Sequence, residues 1–208
     1  MNVGFLNSTM CMQTIVIDGV SCNLDEITER ANNGDLDALI FLGDIYTLGQ
    51  YGITAEPAKG WDYYQRAANY GNIGAKFKLG LEYVNGDGYL PLNEKLGIKL
   101  LEEAAGTGHK DAQFCLGIYY NNKGKKRKAS EYFEMAARQG HAKAQFELGQ
   151  YWFFEGKNID NAIYWLCYSN INRNPNAKET LNKMVHEWGV PRANERIQNT
   201  MERIKRGA

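Results

Sequence analysis

The sequence predicts an all-α chain: a right-handed α-solenoid of four helical hairpins, closed by capping helices at its N- and C-terminal ends. Three observations predict it. A Leu-Gly pair recurs at Leu42-Gly43, Leu79-Gly80, Leu116-Gly117 and Leu148-Gly149, with spacings of 37, 37 and 32 residues. An Ala-Ala pair recurs at Ala67-Ala68, Ala104-Ala105 and Ala136-Ala137, spaced 37 and 32. The 22 glycines stand against 4 prolines, a balance that suits many helices ended by glycine caps. Two markers that keep one period are the mark of a repeat array.

Each element of the unit has its own reason. In the first helix Ala38, Leu42 and Tyr46 are four residues apart and share a face. Gly43 lies beside that stripe, where a missing side chain lets a neighbouring helix approach. That gain must exceed the ~1 kcal/mol that glycine costs inside a helix. In the second helix, aromatics such as Tyr63-Tyr64 or Tyr132-Phe133 precede the Ala-Ala pair by about one turn, so large and small residues interlock. Gly71, Gly108 and Gly140 then stop the second helix in a left-handed cap. The turn inside each unit carries Gly49 and Gly52, Gly86 and Gly88, Gly124, and Gly156. His109 and His141 follow a repeat glycine at equivalent positions, which points to a structural role at the start of the next helix.

A single hairpin cannot bury its apolar stripe, so the array needs caps. Residues 21–34 read as an N-terminal capping helix, with Leu24, Ile27 and Ala31 on one face and Gly34 as its stop. Residues 35–170 hold the four hairpins, and 171–208 the C-terminal capping helices. Pro175 starts one, with Leu181, Val185 and Trp188 as its stripe and Gly189 as its stop; Pro191 opens the last, with Ile197, Met201 and Ile204 on one side. Residues 1–20 remain an unassigned extension in which Thr14–Ile17 reads as extended and Asp18-Gly19 as a turn.

Composition excludes several function classes. Lys+Arg and Asp+Glu are both 24, so no global field points to nucleic acid or an anionic membrane. No apolar stretch approaches the ~18 residues of a membrane helix. The N-terminus lacks the pattern of a signal peptide, so the expected place is the cytoplasm. Cys11, Cys22, Cys115 and Cys167 show no CxxC and no repeated spacing, which argues for free thiols and against a disulfide framework or a zinc site. No metalloprotease, serine-hydrolase or phosphate-loop motif is present, and Gly86-Asp87-Gly88 is a repeat turn. The reading is non-enzymatic, without cofactor or metal.

These residues resemble the Sel-one-like repeat family, a relative of the tetratricopeptide repeat. The resemblance is carried in the first unit by Ala38, Leu42, Gly43, Tyr46, Gly49, Gly52, Ala58, Tyr63, Ala67, Ala68 and Gly71, and in the others by the corresponding Ala, Leu-Gly and aromatic positions. Units three and four have a shortened turn, and the fourth has Trp152 for the usual Tyr and Tyr168-Ser169 where Ala-Ala is expected. The resemblance implies adaptor or scaffold work through protein binding. Similar bacterial proteins serve as effectors, signalling adaptors and immunity proteins against toxins. A branch with two cysteines per repeat, for which hydrolase activity has been suggested, is not matched.

The resemblance also implies that first helices line a concave groove, at positions two and five residues after each Leu of Leu-Gly. These are Asp44 and Thr47, Leu81 and Val84, Ile118 and Asn121, and Gln150 and Phe153. Half are apolar where exposure is expected, as in a groove that holds a partner helix or loop; the alternative is that the caps cover this stripe. Tyr151, Trp152, Phe153 and Phe154 are consecutive, so one or two face outward unless the C-terminal helices cover them. Lys123, Lys125, Lys126, Arg127 and Lys128 form a possible secondary basic patch for an acidic partner, or else a solvated turn. The expectation is a chain, monomeric on its own, that binds another protein: a toxin, a host protein or a signalling protein. An enzyme and a self-assembling structural element are the other classes kept open.

Overall fold

The computed structural model describes residues 14–17, 20–86, 89–156 and 158–207. The Gly88 turn position and the Asp18-Gly19 turn lie outside the described residues. Chain contacts separate two compact units, with the division between Gly97 and Ile98, inside the second repeat.

The first unit opens with a two-stranded antiparallel pair, β1 (Thr14–Ile17) and β2 (Val20–Asn23), in which Thr14 faces Asn23 and Ile17 faces Val20. These strands add to the expected all-helical plan. Helix α1 (Leu24–Asn32) follows directly, N-capped by the Asn23 side chain. Then come α2 (Leu36–Leu48), α3 (Pro57–Asn69) and α4 (Ile73–Asn85), with α1 on α2, α2 on α3 and α3 on α4. Helix α5 (Glu94–Gly106) runs across the division.

The second unit continues with α6 (Lys110–Asn122), α7 (Lys126–Arg138), α8 (Ala142–Phe154), α9 (Ile159–Ile171), α10 (Pro175–His186) and α11 (Ala193–Lys205). Here α6 packs on α7, α7 on α8 and α8 on α9, and α9 also meets α10 and α11. The final helix begins at Ala193 rather than at Pro191, because Arg192 takes a left-handed conformation (φ 51°) that turns the chain first.

The repeat markers perform the packing that their chemistry suggests. A Cβ on Gly43 would stand 2.7 Å from the Tyr64 ring, one on Gly117 2.4 Å from the Phe133 ring, and one on Gly149 2.8 Å from Leu166. In the first, third and fourth hairpins the second helix therefore seats a large side chain on a bare glycine of the first. The first alanine of each Ala-Ala pair, Ala67, Ala104 and Ala136, is fully buried. In the fourth unit Ser169 is fully buried too, and its hydroxyl donates to the Ala142 carbonyl at 2.7 Å. Gly71, Gly108 and Gly140 take φ of 88°, 92° and 80°, which only glycine adopts without strain.

The first helix of every repeat is N-capped by a side chain at one equivalent position. Asp35 accepts from the Ala38 amide, Asn72 from Ala75, His109 from Ala112 and His141 from Ala144. For the two histidines the acceptor is Nδ1, a nitrogen that accepts only when it carries no proton. Two buried glutamines then tie neighbouring helices in the second unit. Gln113 donates to the Ala105 carbonyl and Gln145 to the Ala137 carbonyl, each at 3.0 Å, which satisfies helix-end carbonyls that would otherwise be orphaned.

Candidate functional site

The face of α8 carrying residues 143, 146, 147, 150, 151 and 154 lies along two adjoining cavities of the second unit. One, of about 140 Å³, is walled by Asn121 at the end of α6, by Lys126, Ala129, Ser130 and Phe133 on α7, and by Glu147, Gln150, Tyr151, Phe154 and Glu155. The other, of about 310 Å³, is walled by Phe114 on α6, by Ala142, Lys143, Phe146 and Glu147, and by the turn from Arg173 to Asn176. Glu147 belongs to both walls.

The electrostatics of this face are uneven. Lys126 and Glu155 pair side chain to side chain, bridging α7 and α8. The Glu147 carboxyl makes no hydrogen bond or ion pair with any described residue, and burial alone pushes its pKa above the usual carboxylate range. At the neighbouring cap, His141 stacks on Phe114 with ring centroids 4.5 Å apart, and its Nε2 lies 3.4 Å from Asp111. Burial lowers the His141 pKa, against the opposing pull of Asp111.

The first unit fills the equivalent place from within. Asp44 on α2 accepts from the Tyr64 hydroxyl of α3 and from the Lys78 ammonium of α4, each at 2.5 Å. Lys78 also donates to the Tyr64 oxygen at 2.7 Å. By repeat register, Asp44, Tyr64 and Lys78 correspond to Ile118, Phe133 and Glu147. The second unit thus lacks both the acceptor and the hydroxyl, and places a carboxyl where the first unit has an ammonium.

The expected groove residues divide accordingly. Asn121 and Gln150 line the smaller cavity. Asp44 faces the groove side but is held in its own network. Leu81 and Ile118 are half-buried and line neither cavity of the second unit. Three of the expected positions make contacts of other kinds. Thr47 has its hydroxyl buried, and it stands within 2.2 Å of where a Gly60 Cβ would be, so it belongs to the α2–α3 contact. Val84 sits 2.7 Å from the Cβ position of Gly97 and packs on the start of α5. Phe153 stacks on Trp188 of the C-terminal cap, centroids 4.9 Å apart, and packs with Trp152 against the core of α9, α10 and α11.

The aromatic run is therefore split by the ~100° that separates successive helical residues. Trp152 and Phe153 pack on the cap, while Tyr151 and Phe154 line the cavity; Phe154 is 55% exposed and also meets the Trp188 ring edge-on, centroids 5.8 Å apart. The basic run is partnered at most positions. Arg127 lies 3.6 Å from Glu131, Lys128 lies 3.7 Å from Glu102 and donates to Tyr120, and Lys123 and Lys125 stand over the rings of Tyr119 and Tyr120. Lys126 is paired with Glu155, and all five side chains remain exposed at the surface. Sequence reasoning missed Glu147, Ser130 and Phe133. The signal that could have found Glu147 is the i, i+3, i+4, i+7 series Lys143, Phe146, Glu147, Gln150, which marks the true open face of α8.

No further chemistry gathers elsewhere. Among the described residues there is no cluster of three or more metal-ligating side chains, and no helix is long and apolar enough to cross a membrane. Cys115 and Cys167 are free thiols whose burial pushes them up to about 11 and about 12.

The model of the Sel1 repeat matches residues 36–72, 73–109, 110–141 and 142–169, one match for each hairpin described above. The chain belongs to the Sel1 repeat family. It is a Sel1 repeat protein of four repeats, and so has the α-solenoid fold of protein-interaction modules. Among solved structures it is similar to a Sel1 repeat protein from Oxalobacter formigenes, at 23% identity and a TM-score of 0.71, over 91% of this chain and 82% of that one. It is also similar to two immunity proteins from Pseudomonas aeruginosa. Pa5087 aligns at 20% identity and a TM-score of 0.51, over 86% of this chain and 69% of that one. PA5088 aligns at 18% and 0.52, over 88% and 72%. At these identities the likeness is one of fold. No curated protein sequence matches the chain.

Proposed function

We propose that this Sel1 repeat protein is a non-enzymatic binding module that grips a partner protein along the open face of α8. The observation that carries the reading is the combination of half-exposed aromatics, Tyr151 and Phe154, with amide and carboxyl side chains, Asn121, Gln150 and Glu147, around one cavity. Exposed aromatic anchors beside unpaired polar groups are how binding hot spots are built. The specific form we favour is an immunity protein that covers a toxin in the cytoplasm; two proteins of similar fold are immunity proteins.

The test is capture from the native host with two baits, the wild-type chain and Phe154→Ala. A single toxin retained by the first and lost from the second supports the reading, and co-expression should then protect cells from that toxin. Capture of a host-cell or regulatory protein instead would make the chain an effector or adaptor. Equal capture by both baits would remove the α8 face from the interaction.

A further inference from the structure

The first unit answers a structural need that the second leaves open. Where Lys78 meets Asp44 and Tyr64, the charge on α4 is satisfied by α2 and α3 of the same unit. Where Glu147 stands in the second unit, the positions equivalent to Asp44 and Tyr64 are Ile118 and Phe133, and neither side chain makes a hydrogen bond; Ser130, on the same cavity wall, gives its hydroxyl proton to the Arg127 carbonyl at 2.8 Å. The nearby cation of α7, Lys126, is committed to Glu155. A partly buried carboxylate without a partner lowers stability. A position that keeps one across a cavity is a place where a cation from outside would fit.

We propose that the Glu147 cavity is a subsite for an arginine side chain presented by a partner protein. Three features select arginine. The carboxylate supplies the opposite charge and two acceptor oxygens, the geometry that a guanidinium fork matches. Asn121 and Gln150 line the same cavity, and an amide side chain has a carbonyl that can accept further N–H bonds. The walls formed by Phe133, Tyr151 and Phe154 suit the apolar stem and the planar head of arginine, which stacks on aromatic faces.

This inference rests on the binding-module reading but is tested apart from it. The probe is N-acetyl-arginine-N-methylamide, titrated into isotope-labelled protein and followed by NMR, with the norleucine and aspartate analogues as controls. Shifts should concentrate at the amides of residues 147, 150, 151 and 154. The arginine probe should bind at least tenfold more tightly than the norleucine analogue. Glu147→Gln, which keeps shape and removes charge, should abolish that difference while the rest of the spectrum stays native. The Glu147 carboxyl resonance should also titrate at lower pH when the arginine probe is bound, because a neighbouring cation favours the ionised form. Shifts of equal size for arginine and norleucine, or unchanged arginine binding in Glu147→Gln, would overturn the subsite. If that happened while Phe154→Ala still lost its captured partner, the module reading would stand alone. Arginine binding at Glu147 with no partner captured would leave the subsite and remove the module.

Discussion

Replacing Gly117 by alanine tests the packing rule that makes this chain a stack of hairpins. The added Cβ would lie 2.4 Å from Cδ1 and Cε1 of Phe133. Relaxed carbon contacts are about 3.5–4.0 Å, so ring or helix must move by roughly 1 Å. Phe133 is 3% exposed and its ring centroid lies 6.0 Å from that of Phe114, so the ring has little free room to turn. Overpacking of this kind costs about 1–3 kcal/mol. Alanine returns about 1 kcal/mol through helix propensity. With the clash on two aromatic atoms, the net loss is about 1–2 kcal/mol, or roughly 2–8 °C in Tm for a chain of this size. Thermal unfolding followed by circular dichroism measures it, and hydrogen exchange should place the loss in α6 and α7. Gly106→Ala is the internal control, since nothing lies within 4 Å of its added Cβ and a small gain is expected. Gly117→Ala combined with Phe133→Leu should recover part of the loss through the shared contact. If Gly117→Ala stabilises the protein as Gly106→Ala does, close helix approach is not what the Leu-Gly glycine is for.

Three further outcomes follow from the same geometry. Glu147→Gln should raise stability at neutral pH. The folded pKa of Glu147 lies above its unfolded value, so its favourable contribution is complete below pH ~4.5 and is lost as pH rises through the folded pKa. The change in stability from pH 4 to pH 7, read from urea melts, should therefore be more favourable in the variant than in the wild type, and an unchanged change would contradict the desolvation. The other charges on this face, Lys126, Glu155, Lys143 and Arg173, are common to both proteins and cancel in the comparison.

His141→Ala should cost about 1 kcal/mol through loss of the Ala144 cap, and His141→Asn should restore most of it. The folded pKa of His141 lies below 6.5, so its stabilising contribution is present above pH ~6.5 and is lost as pH falls toward the folded value. The pH slope of stability in that window should flatten in His141→Asn. Asp44→Ala should destabilise the first unit by about 1 kcal/mol, because the Tyr64 hydroxyl and Lys78 lose a shared acceptor, and Asp44→Asn should cost less. Urea melts of both variants would check the order.

Legibility in the sequence followed locality. The hairpins, their caps and the role of His109 and His141 were readable, because each is written in residues a few positions apart. Left-handed glycines at Gly71, Gly108 and Gly140 and the four-residue stripe around Leu42 need only backbone sterics and helical period. The candidate site was half readable. Asn121 and Gln150 were placed by register, but Phe153 was assigned to the groove when a rotation of ~100° sends it to Trp188 instead.

The sequence by itself thus determined that helical hairpins form and where each begins and ends. Only the tertiary structure decided which face of each hairpin stays open. The partner of a side chain is chosen across helices: Lys78 finds Asp44 34 residues away, while for Glu147, at the same place in its repeat, the equivalent positions are Ile118 and Phe133, which offer no hydrogen-bond partner. That difference depends on what another helix carries at the point of contact, and no local pattern along α8 encodes it.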